Sequence, residues 1–419
     1  MSNRLRIAIV VNLLMLGTFA NNALSTIYVI YEKRFGFSSL TVTAIFATYA
    51  LSVLVALLVV GRLSDDVGRK PLMIAGALML ILSSVIFLLA TGTAMLLVGR
   101  VLVGFATGTV MPAATAALVE LEPNHDRRRA SLITTVGFLS GAAIGPLVVG
   151  VMAQYLPRPT VTPFYFEIAI QVVGLVGVLA LKEPAEHGLK AMNWRIQRPA
   201  VPKEIRSGFA MAGVVVTIGW VVGGIYGALG GSLDAQLLHV RSHALAGVVF
   251  FTFAFIGGAS QIVFRARSAR HSMFIGVTAT LVGIICVEAS LFAVSAALFL
   301  VATVLVGVGN GMCFIGSLAL INEIAPLHRR AETVAAYNVV GYFAISLPVI
   351  GVGLLANVFG LKSATVAFAA VLVPLAAVTL VTLGRSPARP KSVVLELEPS
   401  MTEAALGYSA DAAVAAPQN

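Results

Sequence analysis

The stretch Gly61-Arg62-Leu63-Ser64-Asp65-Asp66-Val67-Gly68-Arg69-Lys70-Pro71 separates two long apolar runs, over 42–60 and 72–90. A helix needs about 20 apolar residues to cross the hydrocarbon core of a bilayer. Glycines and charged residues make up most of the separating stretch, and both are unfavourable at that depth. The stretch therefore predicts a tight polar turn that joins two membrane-spanning helices.

The composition of the whole chain agrees with this interpretation. Hydrophobic residues make up 58% of the chain and charged residues only 11%, with a mean hydropathy of +0.96. Soluble proteins carry about 25% charged residues. A soluble fold with this composition would need an apolar surface as well as an apolar core. We therefore predict an all-α integral membrane protein that contacts the lipid bilayer.

The formal net charge of +10 does not indicate nucleic-acid binding. The basic residues lie in short clusters between apolar runs, they form no continuous basic face, and the sequence contains no nucleic-acid-binding motif. An excess of Lys and Arg on one side of a membrane explains the same charge. We expect no nucleic-acid partner.

Catalytic and metal-binding patterns are absent from the sequence. Cys286 and Cys313 lie within apolar runs without metal-ligand spacing, and the six histidines fall at predicted helix ends or in loops. The sequence also lacks a phosphate-binding Gly-x-x-x-x-Gly-Lys-Ser/Thr loop and a Ser/His/Asp set. We expect neither an enzyme nor an ATP-driven pump, with no cofactor and no metal.

Hydropathy windows predict twelve membrane spans. The predicted limits are 7–31, 39–61, 71–91, 94–119, 130–153, 163–182, 207–231, 243–264, 272–290, 292–320, 333–356 and 364–384. The first run is longer than the apolar region of a signal peptide, which extends over about 7–15 residues, so we predict an uncleaved first span.

The basic residues predict the orientation of these spans. If the N-terminus is cytoplasmic, most of the 28 Lys and Arg residues lie in cytoplasmic segments. The external segments then hold only Lys33, Arg34, Arg158, Arg241 and Lys362. Positive residues accumulate on the cytoplasmic side of membrane proteins. Both termini are therefore predicted to be cytoplasmic.

An internal repeat divides the chain into two halves. The residues Gly104, Gly108, Glu120, Pro123 and His125 match Gly307, Gly311, Glu323, Pro326 and His328 at a constant offset. Both copies lie on the same side of the membrane, which predicts two parallel, pseudo-symmetric six-helix bundles. The predicted domains are bundles at 1–182 and 207–385, a cytoplasmic middle loop at 183–206 and a disordered cytoplasmic tail at 386–419.

The pattern Gly61-x-x-x-Asp65-x-x-Gly68-Arg69-Lys70, which we call the loop signature, resembles the cytoplasmic loop between spans two and three of the major facilitator superfamily. The twelve-span layout with a charged middle loop also matches this family over 1–385. The resemblance implies a gating role for Gly61, Asp65, Gly68, Arg69 and Lys70. Arg69 and Lys70 could pair with acids at neighbouring span ends, such as Glu120 or Glu122. One alternative is that the cluster only controls topology through its positive charge. Two departures from the family pattern are Asp66, where a basic residue is usual, and the matching second-half loop, which lacks Asp and Gly.

The fifth span carries a ladder of glycines and one proline. It is formed by Gly137, Gly141, Gly145, Pro146 and Gly150. The ladder resembles the motif of the twelve-span drug/proton antiporter branch, which implies proton-coupled efflux. Glycines four residues apart allow close helix packing, and the proline allows a bend. We expect a sealed, bendable contact with a helix of the other half, with ordinary helix packing as the alternative.

Four ionisable residues are candidates for proton coupling. Arg100 lies within the fourth span, where an unpaired charge is costly, in a sequence that resembles the family's fourth-span motif. Its candidate partners are Glu167 and polar groups of the first span. A structural ion pair or snorkelling to the outer surface would also explain Arg100. The acids Glu167, Asp234 and Glu288 lie near predicted outer helix ends, where solvated carboxylates are common.

Polar and aromatic residues in several spans are candidates to line a substrate cavity. They are Asn21, Ser25, Tyr28, Tyr226, Asn310, Phe314, Tyr337 and Asn338. The first three are spaced to share one helical face. Interhelical hydrogen bonds are the alternative for each of these residues.

These observations predict a monomeric secondary transporter of the bacterial inner membrane. We expect export of hydrophobic or amphipathic small molecules in exchange for protons, through rocking of the two halves. A proton-coupled or facilitative transporter of one specific metabolite, for export or uptake, is the alternative. A membrane sensor or enzyme is a further rival without a supporting motif.

Overall fold

The structure is a computed structural model that describes residues 1–61, 63–124, 126–183, 196–236 and 242–385. Within these ranges, the side chains of Ser64, Asp65 and Arg127 are not described. The predicted tail at 386–419 and half of the predicted middle loop, residues 184–195, therefore lie outside the described residues. The gating role predicted for the Asp65 side chain also falls outside them.

Twelve helices in the described ranges are long and apolar enough to cross a membrane, which confirms the predicted number. They are α1 Asn3–Ala23, α2 Ser39–Val60, α3 Arg69–Leu88, α4 Thr93–Leu121, α5 Arg127–Tyr155, α6 Thr162–Ala180, α7 Arg206–Gln236, α8 His243–Val263, α9 Ala269–Phe292, α10 Ala296–Ile324, α11 Arg330–Phe359 and α12 Leu361–Arg385. Short helices lie at Tyr28–Phe35 and Leu63–Val67, and single turns lie at Leu24–Thr26, Lys203–Ile205 and Leu327–Arg329.

Several predicted limits differ from the observed helix ends, and two of these differences have a local cause. The tenth span was expected to begin at residue 292, but α9 continues to Phe292 and α10 begins at Ala296. The Ser295 hydroxyl accepts a hydrogen bond from the Leu298 amide, 3.3 Å away, and so caps α10. The first span was expected to be continuous to residue 31, but it breaks at Leu24–Thr26. The Thr26 hydroxyl donates to the carbonyl of Ala23, a local bond that competes with the helix ladder.

The repeat in the sequence corresponds to a repeat in the packing. In the first half (α1–α6), a Cβ on Gly104 would lie 2.7 Å from the Tyr49 carbonyl of α2. In the second half (α7–α12), a Cβ on Gly307 would lie 2.9 Å from the Phe253 carbonyl of α8. The fourth helix of each half thus approaches the second helix of the same half through an equivalent glycine. The fold is therefore two pseudo-symmetric bundles of six helices, as predicted.

The two halves pack into one unit, Met1–Arg385, chiefly through two symmetry-related helix pairs. Helix α2 packs against α11, and α5 packs against α8.

We call the end of the bundle where α2 stops and α3 starts the basic end, and the opposite end the far end. The limits between the predicted domains stay a prediction, because the halves form a single packed unit.

Candidate functional site

Arg100 lies in the interior of the first half, with 0% of its surface exposed. One guanidinium nitrogen, Nη1, donates to the Asn21 backbone carbonyl at 2.9 Å and to the Asn21 Oδ1 atom at 3.0 Å. The other, Nη2, donates to the Tyr28 hydroxyl. The guanidinium also lies over the rings of Tyr28 and Tyr49, 5.2 and 5.8 Å from their centroids.

This geometry explains why α1 supplies the partners of Arg100. Asn21 lies in the last turn of α1, where backbone carbonyls have no partner within the helix. The break that follows allows Tyr28 to approach the same guanidinium. The hydrogen bonds and ring contacts of Arg100 all involve neutral groups, and its Nε atom has no partner among the described residues.

Snorkelling and an ion pair with Glu167 were both wrong for Arg100, whereas polar groups of the first span are its partners, as predicted. The side chain does not snorkel, because it is fully buried. It makes no ion pair with Glu167, since no nitrogen–oxygen pair lies within 4.0 Å; its partners are the polar groups of α1 instead. Arginine stays charged at any physiological pH, so its contribution is a fixed buried charge that can be stabilised by rings and dipoles.

Glu167 of α6 is buried between α6 and α3, with 2% of its surface exposed. Its Oε1 atom accepts hydrogen bonds from the Ser84 hydroxyl at 3.1 Å and from the Gln171 Nε2 atom at 3.0 Å. The expectation of a solvated carboxylate near a helix end was therefore wrong for Glu167. Because α6 packs against α3, residues a little more than one turn inside its start are already covered.

The other two acidic candidates occupy the second half near the far end. Asp234 lies in the last turn of α7 with 3% of its surface exposed, and its Oδ2 atom has no partner among the described residues. Glu288 of α9 is half-buried, and its Oε2 atom likewise lacks a described partner. The structure does not gather Arg100 and the three acids into one cluster of ion pairs.

The loop signature of the first half packs against the ends of α4 and α6. Gly68 adopts a φ of +99°, and a Cβ there would lie 3.0 Å from the Glu183 carboxylate. This carboxylate accepts hydrogen bonds from the backbone amides of Arg69, at 2.8 Å, and Lys70, at 3.1 Å. It thereby caps the start of α3 and complements the helix dipole.

The side chains of the two basic loop residues also bind within the first half. Arg69 forms a salt bridge of 3.1 Å with Glu120 of α4, as the sequence predicted for one of two acids. The other acid, Glu122, pairs with Arg129 at 3.5 Å. Lys70 donates from Nζ to the Leu179 carbonyl at 2.8 Å. Glu183 was not predicted from the sequence, because it is a single acidic residue after the sixth span and belongs to no motif.

The glycine ladder of α5 was expected to face a helix of the other half, and this was wrong for three of its four glycines. A Cβ on Gly137 would lie 2.9 Å from Val11, and one on Gly145 would lie 2.8 Å from the Phe19 carbonyl, both in α1 of the same half. Gly141 approaches the Met15 carbonyl in the same way. Four-residue spacing fixes one helix face, but it does not say which neighbour that face meets.

The far end of α5 does contact the other half. A Cβ on Gly150 would lie 3.1 Å from the Cα atom of Gly247 in α8, and Gly247 also approaches the Pro146 carbonyl. Proline removes its own amide from the helix ladder and prevents a bond to residue 142, but it keeps its carbonyl. The boundary between the halves is therefore closed at this point by backbone contact.

The cavity candidates of the first half separate into two groups. Asn21 and Tyr28 both bind Arg100, whereas Ser25 faces a cavity of about 10 Å³ between the halves, near Tyr226. Ser25 lies in the break after α1 and therefore does not share a face with Asn21 and Tyr28, as was predicted for a continuous helix. A cavity of this size holds about one water molecule.

Polar groups of the second half mostly bond within that half. Tyr226 shares a hydrogen bond of 3.1 Å with Thr303, and Asn310 donates to the Gly219 carbonyl at 3.0 Å. Phe314 stacks on Trp220 with 5.6 Å between ring centroids. Tyr337 shares a hydrogen bond of 2.8 Å with Ser317. The alternative of interhelical hydrogen bonds therefore describes Asn310 and Tyr337, whereas Phe314 makes a ring contact and Tyr226 also lines the small cavity beside Ser25.

Asn338 differs from the other candidates in the second half, because it lines a larger cavity at the basic end. This cavity has a volume of about 170 Å³ and lies between α2, α4 and α11. At the far end, the Ser232 hydroxyl of α7 donates to a carboxylate oxygen of Glu32 at 3.2 Å. The described contacts thus close the far end between the halves and leave space at the basic end.

Twelve spans in two similar halves, with a cavity between them, are the architecture of a membrane transporter. The sequence model of the Major Facilitator Superfamily matches residues 9–347, and the chain belongs to this superfamily. It is therefore a multi-pass membrane protein with a transporter fold.

Two relatives are drug-resistance proteins. The chain is 32% identical to Multidrug resistance protein 2 of Bacillus subtilis (strain 168) over 154 residues, which are 36% of this chain and 38% of that protein. It is 26% identical to the quinolone resistance protein NorA of Staphylococcus aureus (strain Mu50 / ATCC 700699) over 179 residues, which are 40% of this chain and 45% of NorA. These alignments span less than half of either relative.

Solved structures share the fold at low sequence identity. A crystal structure of the peptide transporter POT in complex with sulfate matches with a TM-score of 0.76 and 14% identity, over 91% of this chain and 94% of that chain. A bacterial homologue of the human lysosomal transporter Spinster, in an inward-facing and unoccupied conformation, matches with a TM-score of 0.74 and 13% identity. That match covers 91% of this chain and 97% of that chain.

Proposed function

We propose that the chain is a secondary active transporter that exports hydrophobic or amphipathic small molecules in exchange for protons. The observation that carries this proposal is the unequal packing between the halves, which are in backbone contact at the far end and enclose a largely apolar cavity at the basic end. Rocking of the halves about the α2–α11 and α5–α8 pairs would expose the cavity to each side in turn. Similarity to two drug-resistance proteins supports the substrate class.

The orientation follows from the charge distribution. The basic end holds Arg69, Lys70 and the starts of α5, α9 and α11, where further arginines lie. Basic segments stay in the cytoplasm because the positive-inside bias sets topology. We place the basic end and both termini in the cytoplasm, in a bacterial cell membrane, so that the cavity faces the cytoplasm.

Glu167 is the proposed proton carrier of the first half. An ionised carboxylate buried without a cationic partner is costly, and a carboxyl that exchanges its proton in each cycle avoids holding that charge throughout. The Ser84 hydroxyl donates to an ionised carboxylate and can accept from a protonated one, so the site suits both forms. Arg100 supplies a fixed positive charge in the same half. Asp234 is a second candidate near the far end.

The experiment is transport by the purified protein in liposomes. A panel of lipophilic dyes and antibiotics is tested for movement driven by an imposed pH gradient, with a protonophore as the control for coupling. We expect protonophore-sensitive transport of several apolar compounds. Absence of transport across the whole panel would contradict the proposed substrate class.

The role of Glu167 is tested in the same liposomes with Glu167→Gln. We expect loss of transport driven by the pH gradient, while exchange of labelled for unlabelled substrate continues without a gradient. Glu323→Gln is the matched control, because Glu323 is an exposed acid at the basic end. Gradient-driven transport by Glu167→Gln at the unmodified rate would remove Glu167 from the proton path.

One observation favours the alternative of a single metabolite as substrate. The Arg100 guanidinium is buried, contacts only neutral groups and keeps one nitrogen without a partner among the described residues. Such a group would suit an anionic metabolite better than a cationic drug. Transport of organic acids but of no lipophilic dye would establish this alternative.

A further inference from the structure

The segment 196–200, which we call the strap, lies across the basic end between the two halves. The Gln197 backbone amide donates to the Leu58 carbonyl of α2 at 2.9 Å, in the first half. The Gln197 side chain donates from Nε2 to the Ala331 carbonyl of α11 at 3.0 Å, in the second half. The Ala200 amide also donates to the Glu332 carbonyl of α11, at 3.3 Å. One short segment thus binds both halves.

The partners of the strap are groups that helix geometry makes available. Leu58 lies in the last turn of α2, where backbone carbonyls have no partner within the helix. The two acceptor carbonyls of α11, at Ala331 and Glu332, lie in its first turn. A carbonyl has two lone pairs, so these carbonyls can accept a strap donor in addition to their helix bond. Water can replace each of these bonds when the halves separate, so the contact is reversible.

Gln197 also forms part of the wall of the cavity at the basic end. The described lining residues are Leu54, Leu57, Leu58, Gly61, Pro112, Gln197, Val334, Ala335 and Asn338. A Cβ on Gly61 would lie 3.4 Å from the Gln197 Oε1 atom, so the strap packs directly on the turn that follows α2. The residue that bridges the halves therefore also covers the cavity between them.

The chemistry of the lining defines what the cavity can bind. The described lining residues are apolar except for the two carboxamides of Gln197 and Asn338, and none of them is charged. The volume of about 170 Å³ is comparable with that of an engineered apolar cavity of about 150 Å³ that binds benzene. An uncharged ring of one or two fused cycles fits this space, and a carboxamide can hydrogen-bond to a polar group on it.

We propose that the strap closes a binding site for an uncharged ring compound, and that Gln197 must release α11 before the ring can enter or leave. This inference deepens the proposed function and rests on it, because it assigns the entry site of the exported molecule. The lid is part of the segment that connects the two halves, and not part of a helix of either bundle.

The test is the chemical accessibility of one cysteine in the cavity wall. Cys286 and Cys313 are replaced by Ala, and Val334→Cys places a thiol among the lining residues. The rate of labelling by a membrane-impermeant maleimide is measured on the purified full-length protein in nanodiscs. Gln197→Ala removes one hydrogen bond to α11, and we expect labelling to become about fivefold faster.

Two variants control this measurement. Gln197→Glu keeps the size of the side chain but removes the donor, so it should accelerate labelling as Gln197→Ala does. Arg198→Ala changes the exposed neighbouring side chain of the strap and should leave the rate unchanged. Equal labelling rates in the parent protein and in folded Gln197 variants would overturn the proposed lid.

The ligand class is tested with indole as the probe. Indole should slow the labelling of Val334→Cys in a saturable manner, and Ala335→Phe should abolish this protection by filling the cavity. Labelling that indole does not slow would overturn the proposed binding site. If indole protects but the liposomes transport no compound, then the binding site stands and the proposed export function fails.

Discussion

Gly150 of α5 and Gly247 of α8 lie in backbone contact across the boundary between the halves. A Cβ on Gly150 would lie 3.1 Å from the Cα atom of Gly247, and a Cβ on Gly247 would lie 3.3 Å from the Cα atom of Gly150. The contact is thus reciprocal and leaves no space for a side chain on either helix. Small residues permit such close approach of membrane helices.

This contact predicts that a larger residue favours separation of the halves at the far end. Gly150→Val forces extra atoms into a packed contact, which costs about 1–3 kcal/mol in the closed arrangement only. We expect faster maleimide labelling of Gly230→Cys, which lines the small far-end cavity, in protein without its native cysteines. Gly351→Val is the matched control, because a Cβ at Gly351 meets nothing within 4 Å. Equal labelling rates would contradict the prediction.

A glycine of the same ladder should behave differently. Gly141 packs on α1 of its own half, where a Cβ would collide with the Met15 carbonyl and the Thr18 hydroxyl. Gly141→Ala should therefore lower stability by about 1–3 kcal/mol without favouring either arrangement of the halves. Thermal unfolding in detergent measures the loss, with Gly351→Ala as the control. A change in far-end labelling without a loss of stability would show that this glycine acts between the halves.

The buried guanidinium of Arg100 predicts that lysine cannot replace arginine. An ammonium group keeps the charge but cannot bind the two oxygens of Asn21 and the Tyr28 hydroxyl in the same planar geometry. Loss of charge-assisted hydrogen bonds should reduce stability by about 2–5 kcal/mol in Arg100→Lys. Tyr28→Phe should cost less, since it removes one bond. Thermal unfolding measures the stability of both variants, and the exposed Arg206→Lys is the control. If Arg100→Lys is as stable as the parent protein, the contacts assigned to Arg100 are contradicted.

Glu32 predicts a pH dependence of far-end closure. It lies outside the membrane-spanning helices, and burial raises its pKa above the ordinary value of 4.5, against opposing effects of the Ser232 hydrogen bond and of Lys33. When the far end opens, Glu32 becomes solvated and this pKa falls back. The closed arrangement therefore binds more protons. Protonation of Glu32 therefore stabilises the closed arrangement. This stabilisation is complete when the pH lies below the ordinary pKa of Glu32, and it is lost as the pH rises through the raised pKa of the closed arrangement.

Spin labels at the exposed positions Tyr165 and Phe359, in the two halves, report this equilibrium by their distance. We expect the short-distance population to increase as pH falls. Glu32→Gln should weaken the dependence, whereas Glu204→Gln, an exposed change at the basic end, should not. A pH dependence that is identical in Glu32→Gln and the parent would assign the titration to another group.

Much of the fold could be predicted from the sequence because the bilayer imposes a strong local constraint. Each span must be about 20 apolar residues long and must satisfy its own backbone hydrogen bonds, so local hydropathy reports the spans directly. The break after α1 could not be predicted in this way, because Ser25 and Thr26 lower the hydropathy only locally, within a window that remains apolar overall. The cap at Ser295 was likewise hidden within an apolar region.

The candidate site depended far more on tertiary packing. The sequence identified Arg100 and Glu167 as residues of interest, since a charge within an apolar span is costly wherever it lies. Their partners come from helices distant along the chain, Asn21 for Arg100 and Ser84 for Glu167. Spacing along one helix cannot identify such partners.

The sequence by itself determined the twelve spans, the repeat and the turn at Gly61–Pro71, because each is specified by neighbouring residues or by a constant offset. Only the tertiary structure decided that the glycine ladder of α5 meets α1 along most of its length and α8 at Gly150. It also decided that Gln197 joins α2 to α11. These contacts depend on how helices rotate and approach one another, which side-chain packing decides across the whole bundle.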